Sequence, residues 1–277
     1  MTRAKAIGWT VAFFASGIVA TTVAYLMMAR GMGVDPLAAQ VVAVIAGFGG
    51  VTWALARFGL KWGWADLRWR GTGSALRGFG IGVGIGAVPA IVALAIAVPA
   101  GHAAWSLDGG TLGEWWRAVA GLMVLLLPAA FSEELVFRGL PYVALSRAFG
   151  RVPAAIALSV LFGAAHYGNP NVTGLAVANV AIAGVFLSAA FWLPGGVWAA
   201  TGAHLGWNLT LAALGAPVSG LPFTLPMLDY AMGGPAWLTG GSFGPEGGVI
   251  ATLIVSAGAV LLFRRTMHHV PRTLEAV

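Results

Sequence analysis

The chain has 277 residues, of which 59% are hydrophobic and only 9% charged, and its mean hydropathy is +0.87. A soluble domain carries about a quarter charged residues, so this composition excludes soluble enzymes, DNA-binding domains and disordered regulators, and no nucleic-acid partner is expected. What fits is one all-α membrane domain over 1–277, a polytopic bundle of apolar helices about 20 residues long that satisfy their own backbone hydrogen bonds. The apolar runs are continuous rather than alternating, which argues against a β-barrel. Cysteine is absent, so disulfides, thiolate metal sites and cysteine nucleophiles are excluded.

Eight apolar segments are expected in chain order: 7–28, 37–55, 79–98, 119 through the polar cluster at 132–134 and on as helix to 149, 153–166, 175–193, 197–214 and 249–263. The first exceeds the 7–15 residue core of a signal peptide, so an uncleaved span is expected. Eight spans put both termini on one side, and the charges agree. Arg3, Lys5, Arg57, Lys61, Arg68, Arg70, Arg77, Arg147, Arg151, Arg264, Arg265 and Arg272 fall on that side, 12 of the 15 basic residues. Asp35, Asp108, Glu114, Asp229 and Glu246 fall on the other. By the positive-inside rule both termini are cytoplasmic, which makes the expected protein a multi-pass cell-membrane protein with the bilayer as its permanent partner. The stretch 60–70 mixes tryptophans with cations and is expected along the cytoplasmic interface, its rings in the aromatic belt. The loop 215–248 is rich in Gly and Pro and reads as irregular.

Several patterns invite chemical readings that their context does not support. Gly78, Gly80, Gly82, Gly84 and Gly86 resemble a phosphate-binding loop, but no strand precedes them, and two interleaved GxxxG patterns for close helix packing account for them better. Gly240-Gly241-Ser242-Phe243-Gly244 matches G-x-S-x-G by chance, in an outer loop without a strand-to-helix elbow. His102 and the tail residues His268 and His269 read as solvated. H-E-x-x-H is missing, so a metal site on a single helix is not encoded.

Ionisable residues inside spans are costly and usually face a cavity or a partner. Here they cluster. Glu134 and Arg138 are i,i+4 on one helical face, acid before base, the favourable order for an ion pair. Glu133 points about 100° away and is left free as a general-base candidate. Phe162 and His166 share a face of the fifth segment, and His204 and Asn208 share a face of the seventh. Counting about 1.5 Å per residue from the cytoplasmic ends places Glu133 roughly 21 Å deep, His166 roughly 20 Å, His204 roughly 10 Å and Asn208 roughly 16 Å. A lone intramembrane His or Asn often only bonds a neighbouring helix. Two adjacent glutamates within a span are harder to explain by packing, and the set fits one site.

The motifs Glu133-Glu134-Leu135-Val136-Phe137-Arg138 (E-E-x-x-x-R), Phe162-Gly163-Ala164-Ala165-His166 (F-x-x-x-H) and His204-Leu205-Gly206-Trp207-Asn208 (H-x-x-x-N) resemble, in order and on separate spans, those of the CPBP family of intramembrane proteases. That family includes CAAX prenyl endopeptidases of the Rce1 type and the bacteriocin-processing or immunity (Abi) proteins. The motif-bearing core covers about 118–214. The resemblance implies that Glu133 activates a water with help from His166, and that His204 and Asn208 stabilise the oxyanion. Glu134 and Arg138 would then hold the site, with Phe162 packed beside it. Family members are described both as metalloproteases and as metal-independent glutamate proteases. Glu133, His166 and His204 are the candidate zinc ligands under the first description. The metal-free version, with no cofactor, is preferred because it gives Asn208 and the pairing of Glu134 a use. The expected activity is cleavage of a peptide or membrane-protein substrate near the inner-leaflet side. The alternatives are a catalytically silent immunity or scaffold protein and a proton-coupled transporter. No internal repeat supports the transporter.

Overall fold

The computed structural model describes residues 1–69, 71–107 and 109–268, the last without its side chain. The expectations for Arg70, Asp108, His269, Arg272 and the His268 side chain therefore lie outside the described residues. The fold is an all-α bundle of apolar helices, with α1 (Arg3–Leu26), α2 (Pro36–Ala54), α3 (Thr72–Ala97), α4 (Leu112–Arg138), α5 (Leu140–Phe149), α6 (Arg151–Ala165), α7 (Gly174–Ala190), α8 (Val197–Ala213), the short α9 (Ala236–Thr239) and α10 (Val249–His268). Among the described residues, five helical stretches are long and apolar enough to cross a membrane: Arg3–Gly31, Pro36–Leu60, Thr72–Ala97, Leu112–Phe149 and Val249–Met267. The helices α6, α7 and α8 are shorter, at 15, 17 and 17 residues. The loop 215–248, expected to be irregular, supplies β2 (Asp229–Met232), which pairs antiparallel with β1 (Ala103–Ser106).

Two differences from the sequence expectation concern α4. It starts at Leu112, about two turns before residue 119, because Thr111 and Glu114 close a capping box. Glu114 Oε2 accepts from the Thr111 backbone N–H at 2.8 Å, and Thr111 Oγ1 accepts from the Glu114 N–H at 3.3 Å. Two of the orphan amides of the first turn are thereby satisfied. At its other end α4 stops at Arg138 and does not run on to 149. Gly139 takes a non-helical conformation (φ −81°, ψ −135°) and α5 restarts with proline in its first turn.

Some of the basic residues that the sequence assigns to one side find partners on other elements. Arg3 lies over Phe149, Arg147 lies over Trp62 and pairs with Asp66 at 2.9 Å, and Arg151 lies over Trp192. Arg68 does not project outward to the interface. Its Nη2 donates to the carbonyls of Trp192 and Leu193 at 3.1 and 3.2 Å, supplying donors that the end of α7 lacks.

Helix α8 is buried on almost every side and packs most closely on α3. A Cβ on Gly78, Gly82 or Gly86 would overlap backbone of Pro194, Ala199 or Ala203, and one on Gly202 or Gly206 would overlap Phe79 or Val83. Gly80 and Gly84 meet nothing within 4 Å. Of the two interleaved GxxxG patterns, the one at 78, 82 and 86 makes the contact. Substituting Gly82→Val should therefore cost about 1–3 kcal/mol by overpacking, whereas Gly84→Ala should be tolerated. Thermal unfolding of the two variants in detergent tests this; equal behaviour contradicts the assigned face.

Candidate active site

The α3–α8 contact fixes α8 at backbone distance and so fixes where His204 stands, between Gly202 and Gly206. On α4, Glu134 is fully buried, and its Oε1 accepts from Arg138 Nη1 at 3.1 Å and from His204 Nδ1 at 2.9 Å. Arg138 Nη2 donates to the Gly184 carbonyl of α7 at 2.9 Å. One carboxylate thus ties α4 to α8 directly and to α7 through its arginine. Phe162 lies against this pair, 4.4 Å from the Arg138 guanidinium and 4.7 Å from the His166 ring.

A carboxylate is an acceptor, so the proton on His204 is at Nδ1. The same reasoning applies to His166, whose Nδ1 lies 2.8 Å from the Phe162 carbonyl. Both imidazoles therefore turn Nε2 toward the site. They meet the same atom, Glu133 Oε2, at 3.7 Å from His166 and 3.8 Å from His204. Those gaps exceed a hydrogen bond and suit a shared water. Glu133 Oε2 has no hydrogen-bond partner among the described residues although it is buried. Asn208 lines the same cavity as His166 and His204. The structure therefore brings Glu133, His166, His204, Asn208, Glu134, Arg138 and Phe162 into one neighbourhood.

The donor types of Glu133, His166 and His204 suit zinc. As placed, however, no group of three or more His, Cys, Asp or Glu among the described residues is arranged to hold a metal ion. No step below is routed through one.

Sequence reasoning missed the other wall of the cavity. Glu246, assigned to an outer loop, folds back to line the space shared with His166, His204 and Asn208. Its Oε1 accepts from Trp207 Nε1 at 2.9 Å, and its Oε2 accepts from the Ser219 hydroxyl at 3.0 Å and from the Ser219 backbone N–H. Asn179 of α7 donates to the carbonyls of Glu246 and Gly248 at 2.8 and 2.9 Å. Asn169, three residues past His166, donates to the Ser219 carbonyl at 3.0 Å. Burial pushes the Glu246 carboxyl above its ordinary value, against the Ser219 and Trp207 donors and the nearby His166, which pull it down. The only sequence signal was an acid one turn ahead of an apolar helix. Ser242 of the G-x-S-x-G match is exposed in a 3₁₀ turn.

The empty space in and around the cavity, counting the open solvent at its mouth, is about 570 Å³. Its lining runs from His166, His204 and Asn208 to Ser219 and Glu246.

Residues 115–210 match the family model described as type II CAAX prenyl endopeptidase Rce1-like. That match is a likeness over part of the chain only. The Rce1-like stretch holds all seven motif residues and is about a third of the chain, leaving Ser219 and Glu246 outside it. A match to a model so described is compatible with the bundle of apolar helices. No curated protein and no solved structure matches the chain.

Two outcomes follow from this geometry. Arg138→Met leaves Glu134 buried without its cation and should cost about 3–5 kcal/mol. Adding Glu134→Gln should recover part of that loss, as read from a double-mutant cycle of unfolding in detergent; strict additivity contradicts the pairing. For Glu246 the folded value lies above the unfolded one. Its stabilising contribution is then full below the ordinary glutamate value and is lost as pH rises through the raised value. Stability measured against pH should fall across that window in the parent and stay flatter in Glu246→Gln.

Proposed function

We propose that the protein is a metal-independent intramembrane endopeptidase in which Glu133 is the general base. The observation that carries this reading is the convergence of both Nε2 atoms on Glu133 Oε2. A water held among these three groups would lose a proton to Glu133 as its oxygen attacks the scissile carbonyl, with His166 orienting it. The carbonyl oxygen would become an oxyanion in reach of the Asn208 amide and of His204. His204 would donate from Nε2 in its protonated form. Collapse of the tetrahedral intermediate would expel the amine, which takes the proton that Glu133 had received. Glu134 and Arg138 act through His204 and are positioning residues. Phe162 closes the apolar side of the pair and keeps water from Arg138.

Removing the general base should lower turnover by roughly 10²–10⁴-fold, and Asn208→Ala by about 10²-fold or more as an oxyanion donor is lost. The direct test incubates purified protein with membrane-anchored peptides and compares the parent with Glu133→Ala. A comparison of membrane-associated fragments in cells carrying the two forms supplies the substrate. Cleavage that survives Glu133→Ala unchanged sinks the assignment. Activity is expected to resist chelators, and a stoichiometric zinc whose removal abolishes activity would overturn the metal-independent chemistry.

A further inference from the structure

Glu246 is a built carboxylate site in the cavity. The side-chain amide of Asn179 donates to its main-chain carbonyl and ties it to α7, Trp207 of α8 holds one carboxylate oxygen, and Ser219 holds the other. A carboxylate offers about four acceptor positions; three are taken, and one remains on Oε1. The ion pairs formed among the described residues give Glu134 its arginine and give Glu246 no Lys or Arg. Around it the wall is apolar, with Val180 and Leu187 from α7 and Val255 from α10. An acid with oriented donors, one acceptor direction unused and no resident cation, set in an apolar slot, is complementary to a group with an apolar stem and a cationic head. Lysine and arginine side chains have that form.

Resting on the endopeptidase reading above, we propose that Glu246 is a specificity-determining residue that receives a substrate Lys or Arg side chain. The stem lies along Val180, Leu187 and Val255, and the head pairs with Glu246. Trp207, which holds one oxygen of this carboxylate, directly precedes Asn208 in α8, so the cation site adjoins the proposed reaction centre. A bound cation relieves the cost of burying the ionised acid. The alternative occupant of this wall, a free C-terminal carboxylate, would be repelled by Glu246.

The test separates recognition from chemistry by measuring binding to the full-length Glu133→Ala protein in nanodiscs. The probes are a short acetylated and amidated Leu/Ala peptide with one central Lys, the same peptide with norleucine, and the same peptide with Glu. The Lys peptide should bind about 10- to 100-fold tighter than the norleucine peptide, as expected for a charge-assisted hydrogen bond, and the Glu peptide should bind most weakly. Adding Glu246→Gln should bring the Lys-to-norleucine ratio toward one, whereas Glu246→Asp, which keeps the charge, should retain part of it. Equal affinities for Lys and norleucine on the Glu133→Ala protein, or a preference that survives Glu246→Gln, overturn the proposal. The first of these readings needs no change at Glu246 and so stands even if that variant fails to fold. Cleavage of the Lys peptide by the parent is scored separately: its absence while the binding preference persists strikes the endopeptidase reading and leaves the cation site intact.

Discussion

Everything at the site depends on what Glu134 Oε1 accepts. That single oxygen receives Arg138 and His204, and an ionised acid with two charged or polar donors is among the stronger buried arrangements. Its effect on His204 is directional. With the proton committed to Nδ1, Nε2 is turned to Glu133, and the imidazole cannot adopt the other tautomer without leaving an acceptor facing an acceptor. Arg138 passes the same constraint to α7 by donating to Gly184. The site needs a charge in the interior that does no chemistry, so that the neighbouring acid can be left without a partner.

The i,i+4 relation of Glu134 and Arg138 follows from helical geometry, which is why that ion pair is legible in the sequence. The convergence of two imidazoles on Glu133 is not, because it depends on where helices begin. Counting residues puts His204 about half as deep as Glu133, yet the two meet. The count assumed that Val197 lies at the membrane face. It is fully buried, because the segment carrying Arg68 and Trp69 lies across the α7–α8 turn and Trp69 bridges Gly196. Helix α8 therefore starts inside the bundle, and every residue on it is deeper than counting allows.

Other departures have local causes that the sequence did contain. Thr111-x-x-Glu114 is a capping box ahead of a stretch less apolar than the span it opens, and Gly139 followed by Pro141 breaks a run that hydropathy alone reads as continuous. Pairing of Ala103–Ser106 with Asp229–Met232 has no such signal, since partners more than a hundred residues apart carry no shared period. Glu246 belongs to the same class. Its role is set by Ser219, Trp207 and Asn179, none of which is near it in the chain.

That distance in sequence separates two tasks. The groups proposed to perform hydrolysis lie within 115–210, on helices whose spacing is fixed by glycine contacts and by one buried ion pair. The groups proposed to select a side chain come partly from a loop, where Ser219 sits at φ +49° and Gly220, Gly240 and Gly244 at φ +87°, +98° and +108°. Such backbone lets an irregular segment turn back into the bundle, and it places few demands on side-chain identity elsewhere along the loop. Helices must keep their residues in order to keep the reaction geometry, whereas a loop that folds in from one end can exchange its acid for another group without moving Glu133 or either imidazole. On the proposed function, then, the bond-breaking chemistry and the choice of substrate are carried by different parts of the chain, and changes at Glu246 or Ser219 alter what is cut more than how it is cut.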